Sequence, residues 1–461
     1  QHVHRKLTAM PVITTDTPIS FQDPLPNEVD VIIVGGGMVG VMTAWFLQKA
    51  GKTVFICEKG RVSGEQSCRN WGFVRQAGRD IAELPMMIDC MADWRDLQEE
   101  IGDAVGFRQP GSMFVSKNDE ELKGYALWAD TIAKPHGLSS RMLTTKEIDD
   151  KLGTKHPPYK GALYTENDGC AEPFTAVPAI AKCLHRKGGV AIRENCAVRL
   201  LNVQGERVVG VHTEDGDVKA DRVMVAAGLW TGRLLKNHGL HFPQLLANTT
   251  IARTEPVDDP IQLTFGHRDA CFRSRVDGGY NLMPGEIMEH ELCFESFAFG
   301  LQFLPALKRF YRHTSVIPGL YEGFGRRLFP KHRWSKNEVS PFEKTRVLNP
   351  KHSSRHFKKI RKNVAEHFPE LAALPIAESW TGATDMTPDL LPALGQIAKY
   401  DGLYIASGLS GHGFGLGPAI GKLMADELLG NAPRFDLSPF RFERFSDGSK
   451  LHADEIGTVS D

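Results

Sequence analysis

Three glycines at fixed spacing are the first residues in this chain able to do chemistry. Gly35, Gly37 and Gly40 stand in VIIVGGGMVG, residues 31–40. In a GxGxxG run the first glycine permits a tight turn and the second lets a pyrophosphate approach bare backbone. The third lets a helix pack closely on a strand. Met38 and Val39 fall between them, at a helix start whose unpaired N–H groups hold phosphate. Glu58 follows Gly40 by 18 residues, the distance at which a carboxylate accepts from both ribose hydroxyls and disfavours a 2′-phosphate. The chemistry indicated is the binding of a dinucleotide.

A second glycine run lies near the far end. LYIASGLSGHGFGLGP, residues 403–418, carries Gly408, Gly411, Gly413, Gly415 and Gly417, with His412 and Phe414 among them. Such glycines let backbone approach a flat ligand. The helix that follows Pro418 presents about half a positive charge at its start, suited to the anionic edge of a reduced flavin. A nicotinamide dehydrogenase would continue with βαβ units after Glu58. Here Lys59 is followed instead by the polar loop Gly64, Glu65, Gln66, Ser67, Cys68, Arg69, Asn70, Trp71, Gly72, which keeps touching a long cofactor. RVMVAAGLW, residues 222–230, adds Ala227, Gly228 and Trp230, and Gly382 is assigned to the same site. Cofactor segments at both ends with other material between them point to FAD.

Arg273 is the main candidate for substrate binding and catalysis. In CFRSR, period-two alternation puts Arg273 and Arg275 on one face of a strand. A guanidinium matches a carboxylate bidentately, and such charge-assisted bonds contribute roughly 1.5–3 kcal/mol. The plainer reading is a structural ion pair. Trp71 and Gln76 are expected near the flavin, lining the substrate cavity, with Arg75 and Arg79 paired to nearby acids. His412 either tunes the flavin and polarises the site, or serves only by packing and its backbone N–H.

The elements that must position these residues are legible. Residues 29–34 and 52–57 read as buried strands and 41–50 as a helix. Residues 83–101 form an amphipathic helix whose methionines belong to the core. A helix is expected over 174–187, a strand over 190–198, and a hairpin over 204–218, in which His212 is a surface or satisfied histidine. Gly278-Gly279 marks another turn. The expected fold class is α/β: a Rossmann-type FAD-binding domain of the glutathione-reductase-like kind, with an inserted, mainly antiparallel α+β substrate domain. The FAD part comprises 28–85, 160–238 and 372–445. The substrate part comprises 86–159 and 239–371, with an extension 1–27 and a tail 446–461.

Composition narrows the function classes. Among 461 residues, 41% are hydrophobic and 24% charged, which excludes a disordered chain or a fibre. Lys plus Arg number 55 against 56 for Asp plus Glu, so no nucleic-acid partner is expected. The eight cysteines show no metal-ligand spacing. They read as reduced thiols of a cytoplasmic protein without a metal. Residues 1–27 contain no signal-peptide core. The chain begins at Gln1, so something upstream was removed or added, and His2 and His4 belong to a flexible tail. Val31–Leu47 is uncharged, but its central glycines suit a strand, turn and helix better than a membrane span. Basic stretches 325–336 and 351–362 read as solvated helix faces. Their sharper reading is peripheral contact with anionic lipid, or with RNA.

From Val29 to Phe445 the chain resembles the D-amino-acid oxidase/sarcosine oxidase/glycine oxidase family of flavoproteins. VIIVGGGMVG, Glu58, VMVAAGLWT (223–231), TPDLLPALG (387–395) and SGLSGHGFGLGPAIG (407–421) carry the resemblance. Within the family it is most similar to bacterial L-amino-acid deaminases, through GEQSCR (64–69), CFRSRVDGGY (271–280), SPFEK (340–344) and GLYIASGLSGHGFG (402–415). It departs from them in lacking an N-terminal membrane helix and in NWGFVRQAGRD (70–80). The resemblance implies that Arg273 binds the substrate carboxylate and that backbone of Val198 contacts adenine. WTGATDM (380–386) has no cysteine, so the FAD is expected to be non-covalent. The implied activity is oxidation of an amino acid by hydride transfer to flavin N5, giving an imine that hydrolyses to a keto acid and ammonia. The acceptor is oxygen or a quinone, and an oligomer is open. Oxidation of a secondary amine, such as an N-methyl or cyclic amino acid or an opine, is the alternative. An RNA-modifying flavoprotein ranks below both.

Overall fold

Val31–Val34 is buried on both faces, and that fixes its place in the middle of a sheet. The computed structural model describes residues 12–153, 155–285, 287–310, 313–318 and 333–451. Among them, six strands form one sheet in the order Ala393–Gln396, Leu403–Ser407, Arg222–Val225, Val31–Val34, Val54–Cys57, Val190–Arg193. All neighbours are parallel except the first pair. The GxGxxG strand and the strand of the distal glycine run thus flank Arg222–Val225 on either side. Alternate side chains feed separate cores. Val31, Ile33, Val54 and Ile56 pack with Met38–Lys49, Leu84–Ile101, Ala176–Arg186 and Gly417–Leu429. Ile32, Val34, Phe55 and Val223 pack against a three-stranded antiparallel sheet spanning Val198–Lys219.

The first and last cofactor helices touch. A Cβ on Gly421 would lie 2.5 Å from the Met42 Cβ, and one on Gly417 would lie 2.1 Å from the Met38 Cγ. These two glycines therefore serve helix packing. The expected strand 190–198 is two strands, Val190–Arg193 and Val198–Gln204. Asn195, at φ 53°, turns the chain between them. The expected loop 64–72 holds one helical turn, Gln66–Arg69.

A second, mostly antiparallel sheet stands beside the first. Its strands include Leu245–Thr254, Tyr280–Met283, Cys271–Ser274, Thr264–Gly266, Ser112–Ser116, Gly161–Thr165 and Ser140–Leu143. Ile376–Met386 pairs along the whole of Leu245–Thr254. Gly161–Thr165 and Ile376–Met386 fall in segments expected in the FAD part, yet they are strands of this sheet. The turn at Gly278-Gly279 joins the antiparallel strands Cys271–Ser274 and Tyr280–Met283.

Lys351–Lys362 leads into the helix Ser354–His367, which buries Ile360 and Val364 and leaves Lys358, Lys359, Arg361 and Lys362 exposed. That is a solvated basic face. His212 is satisfied by Asp217 at 2.7 Å. His2 and His4, residues 325–332 of the other basic stretch, and 452–461 lie outside the described residues. All eight cysteines are free thiols. No helix among the described residues is long and apolar enough to cross a membrane.

Candidate active site

One long cavity runs from the GxGxxG turn to the distal glycine run. All the expected cofactor residues line it except Gly40 and Gly408. Gly40 lies beneath the turn, where a Cβ would sit 2.1 Å from the Gly35 carbonyl oxygen. Gly408 faces inward and donates its N–H to Asp385 at 3.0 Å.

At the nucleotide end, Glu58 accepts from the N–H groups of Gly36 at 2.8 Å and Gly60 at 2.7 Å. Burial raises its pKa to about 7, against the pull of Lys59 and these two donors. The Ser67 hydroxyl accepts from the Met38 N–H at 2.9 Å, at the start of the helix. Gly37 meets nothing but that hydroxyl, 3.1 Å from where a Cβ would stand. An open backbone cradle, a helix N-terminus and a carboxylate at the second strand's end fit an extended dinucleotide.

Residues 345–348 cross this end. Lys59 Nζ donates to the carbonyls of Thr345 and Arg346, each at 2.8 Å, and to Glu65 at 2.7 Å. Glu65 also accepts from the Leu348 N–H at 2.7 Å and from Trp230 Nε1 at 2.8 Å. Arg69 ties the neighbouring loop to the chain's beginning, donating to the Ile13 carbonyl at 2.9 Å and to Asn349 at 2.8 Å.

At the other end, Trp71, Phe73 and Arg75 line the cavity, while Val74 and Gln76 do not. Alternation along the short strand Phe73–Val74 explains this. The expectation for Gln76 is therefore corrected: its side chain is off the wall, and its backbone N–H donates to Asp168 at 2.6 Å. Arg75 takes the wall position. It donates to the Ala77 carbonyl, and its Cζ lies 5.1 Å over the Phe114 ring. Burial lowers its pKa to about 10, reinforced by Arg79 and opposed by Asp168. Phe114, Tyr125, Arg268, Ile287 and Met288 complete the wall.

Arg273 and Arg275 share a face, as alternation required, but although Cys271 on that face reaches the cavity wall, the two arginines do not. Arg273 is fully buried and donates to Glu172 through Nη1 at 2.9 Å and Nη2 at 3.2 Å. Arg275 Nη1 lies 3.5 Å from Glu172 Oε2, the oxygen that Arg273 Nη2 also holds. The two guanidiniums hold the Glu172 carboxyl at a pKa of about 2 although burial alone would raise it. The placement of Arg273 is thus that of the structural ion pair. Its Nε donates to the Trp71 carbonyl at 2.6 Å, from beneath the wall.

His412 is on the wall, with its side chain 26% exposed. Its Nδ1 lies 2.7 Å from a carboxylate oxygen of Glu83, a residue fully buried at the start of helix Leu84–Ile101. The sequence reading missed Glu83. A lone acid at a helix start reads as a cap, and only the tertiary fold brings it to a loop more than three hundred residues away. Burial lowers the His412 pKa, as do Arg79 and Arg75, while Glu83 opposes them.

Comparison with known proteins agrees with this geometry. The family model DAO, described as FAD dependent oxidoreductase, matches residues 30–427. A 4-methylaminobutanoate oxidase (formaldehyde-forming) from Paenarthrobacter nicotinovorans is 28% identical over 92% of this chain and 46% of its own length. The chain therefore spans about half the length of that relative. Human peroxisomal sarcosine oxidase is 24% identical over 92% of this chain and 98% of its own. The structure of L-amino acid deaminase from Proteus myxofaciens, in complex with anthranilate, superposes with a TM-score of 0.87 at 27% identity, covering 93% of this chain and 96% of that one. With its glycine cradle and this match of the family model over most of its length, the chain belongs to the DAO family of FAD-dependent oxidoreductases.

Proposed function

We propose that the protein oxidises the carbon–nitrogen bond of a small amino acid, with an L-α-amino acid as the first reading. The observation that carries it is Arg75, whose guanidinium lies over the Phe114 ring on a wall that also holds Trp71, Phe73, Ile287 and Met288, with Arg79 and Arg268 as further cations on it. A guanidinium set among aromatic side chains suits one carboxylate on a small substrate. Arg75 is accordingly assigned the carboxylate-binding role expected of Arg273. Arg273 supports the wall through the Trp71 carbonyl. Bound FAD supplies the two-electron acceptor for the substrate Cα–H. The aromatic wall excludes water and fixes the substrate's orientation. The imine product hydrolyses to a keto acid and ammonia, and oxygen or a quinone serves as the final acceptor. The second sheet acts as the substrate part, capping the FAD cavity. We place the protein in the cytoplasm, a reducing compartment that suits its free thiols.

A second reading, oxidation of an N-methyl amino acid or another secondary amine, is favoured by the similarity to 4-methylaminobutanoate oxidase and sarcosine oxidase. Anaerobic mixing separates the two. The yellow protein is exposed to single L-, D- and N-methyl amino acids while flavin absorbance is followed. Bleaching by L-α-amino acids supports the first reading, and bleaching by N-methyl substrates alone supports the second. No bleaching by any of them rejects both.

A further inference from the structure

Glu83 has both carboxylate oxygens buried and neither in line with a hydrogen-bond donor. That is a costly state for an acid. Two groups stand close to it. His412 Nδ1 is 2.7 Å from Oε2, and Arg79 Nη1 is 3.9 Å from the same atom. Both of these nitrogens also lack an aligned partner. A small rotation of the imidazole turns the short contact into a hydrogen bond. Arg79, whose Nε donates to the Arg75 carbonyl at 3.2 Å, stays the more distant of the two.

An imidazole with a carboxylate on Nδ1 keeps its proton there and presents Nε2 as a lone pair. His412 and Arg75 both line the cavity. Amine oxidation needs a neutral amine, whereas an amino acid arrives mostly as its ammonium. A base beside the bound substrate removes that mismatch.

Resting on the reading of an amine substrate, we propose that Glu83 is a positioning residue. It fixes His412 in the Nδ1–H tautomer so that Nε2 accepts the proton leaving the substrate ammonium. In this step one N–H bond of the ammonium breaks and an Nε2–H bond forms. The lone pair stays on the amine nitrogen, and the imidazolium is balanced by Glu83 until its proton passes to solvent. The charged groups facing His412 are Glu83, Arg79 and Arg75. The two arginines keep the ring neutral before substrate binds, and Glu83 keeps it basic enough to act.

The test uses the FAD-loaded full chain with nitrogen-15 in its histidines. Long-range proton–nitrogen spectra read the tautomer of each ring, and the signals lost in His412→Asn identify His412. The wild type should show Nδ1–H at neutral pH. In Glu83→Gln the His412 titration midpoint should fall by about one pH unit, since a neutral amide no longer stabilises the imidazolium. The acidic limb of kcat/KM should move by the same amount and its plateau should drop about tenfold. An Nε2–H tautomer, or a midpoint and limb unmoved by the substitution, overturns the proposal. If Glu83→Gln does not hold FAD, the His412→Asn profile decides. Loss of the acidic limb with about a hundredfold lower kcat/KM supports a base at His412. A limb unchanged from wild type shows that the amine loses its proton in solution, and overturns it. If no amine bleaches the flavin, the functional reading fails separately, because the tautomer and midpoint still report on the Glu83–His412 pair.

Discussion

Arg273 and Glu172 form a bidentate ion pair at 2.9 and 3.2 Å, both side chains essentially without solvent contact. The third arm of the guanidinium holds the carbonyl of Trp71. The pair is a bracket under the cavity wall. Gly72 has to be glycine there: its φ is +81°, and a Cβ would lie 2.6 Å from both the Ala171 carbonyl oxygen and the Arg273 Nε.

Removing the bracket should cost stability. Arg273→Ala leaves Glu172 charged and buried beside Arg275 alone, an arrangement that costs about 3–5 kcal/mol. Urea denaturation should show a lower midpoint at unchanged slope, with any rise in KM accompanied by loss of fold. A tenfold rise in KM at full stability would restore Arg273 to the substrate site.

Arg75→Ala should do the opposite. KM for an amino acid should rise at least tenfold, the scale of one lost charge-assisted hydrogen bond. The flavin spectrum and the denaturation midpoint should stay near wild type. Arg75→Lys should recover only part of the loss, because an ammonium cannot grip a carboxylate bidentately. Steady-state kinetics on FAD-saturated protein checks both.

Glu172 sets an acid limit. Its folded pKa of about 2 lies below the ordinary value of 4.5. It therefore binds fewer protons folded than unfolded. Its contribution is fully present above 4.5 and lost as pH falls towards 2. Melting temperature should fall over that window. Glu172→Gln should be less stable at neutral pH and show a flatter decline.

Glu58 works in the other direction. Its pKa, raised to about 7 by burial, means that the folded protein without FAD holds a proton that the unfolded chain releases near 4.5. That contribution to stability is complete below 4.5 and lost as pH rises through about 7. Ribose hydroxyls need the ionised acceptor, so FAD affinity should strengthen as pH rises through 7. Glu58→Gln should abolish that trend and weaken binding about tenfold or more. Fluorescence titration of the FAD-free protein reads both effects.

Much of the cofactor half was legible because its chemistry is written in backbone. Gly35 and Gly40 are required by local geometry, Gly37 keeps the cradle open, and strand, turn and helix adjoin in sequence. The substrate half was not legible in the same way. Arg273 and Arg75 each sit in a short extended segment, and either can be read as facing a carboxylate. Alternation gave the relative faces of Arg273 and Arg275 correctly. It could not say that Trp71 and Gly72 come between Arg273 and the cavity, because that depends on how the second sheet docks. Glu172 lay in a turn region and Glu83 at a helix start, and neither carries a local sign of the cation it meets. Asn195 broke an expected strand for a local reason, its left-handed backbone, which the strand-forming Val190, Ile192 and Val198 around it concealed.

Residues 345–348 cross the nucleotide end and are fastened there by Lys59 and Glu65. Arg346 adds a salt bridge to Glu214. Gly60 lies so close beneath that a Cβ would stand 2.0 Å from the Arg346 carbonyl oxygen. A dinucleotide seated under this segment leaves only after several bonds to Lys59 and Glu65 open together. Retention is then governed by a barrier to escape as well as by equilibrium affinity. Labelled FAD added to the folded, FAD-free protein should enter far more slowly than diffusion would deliver it.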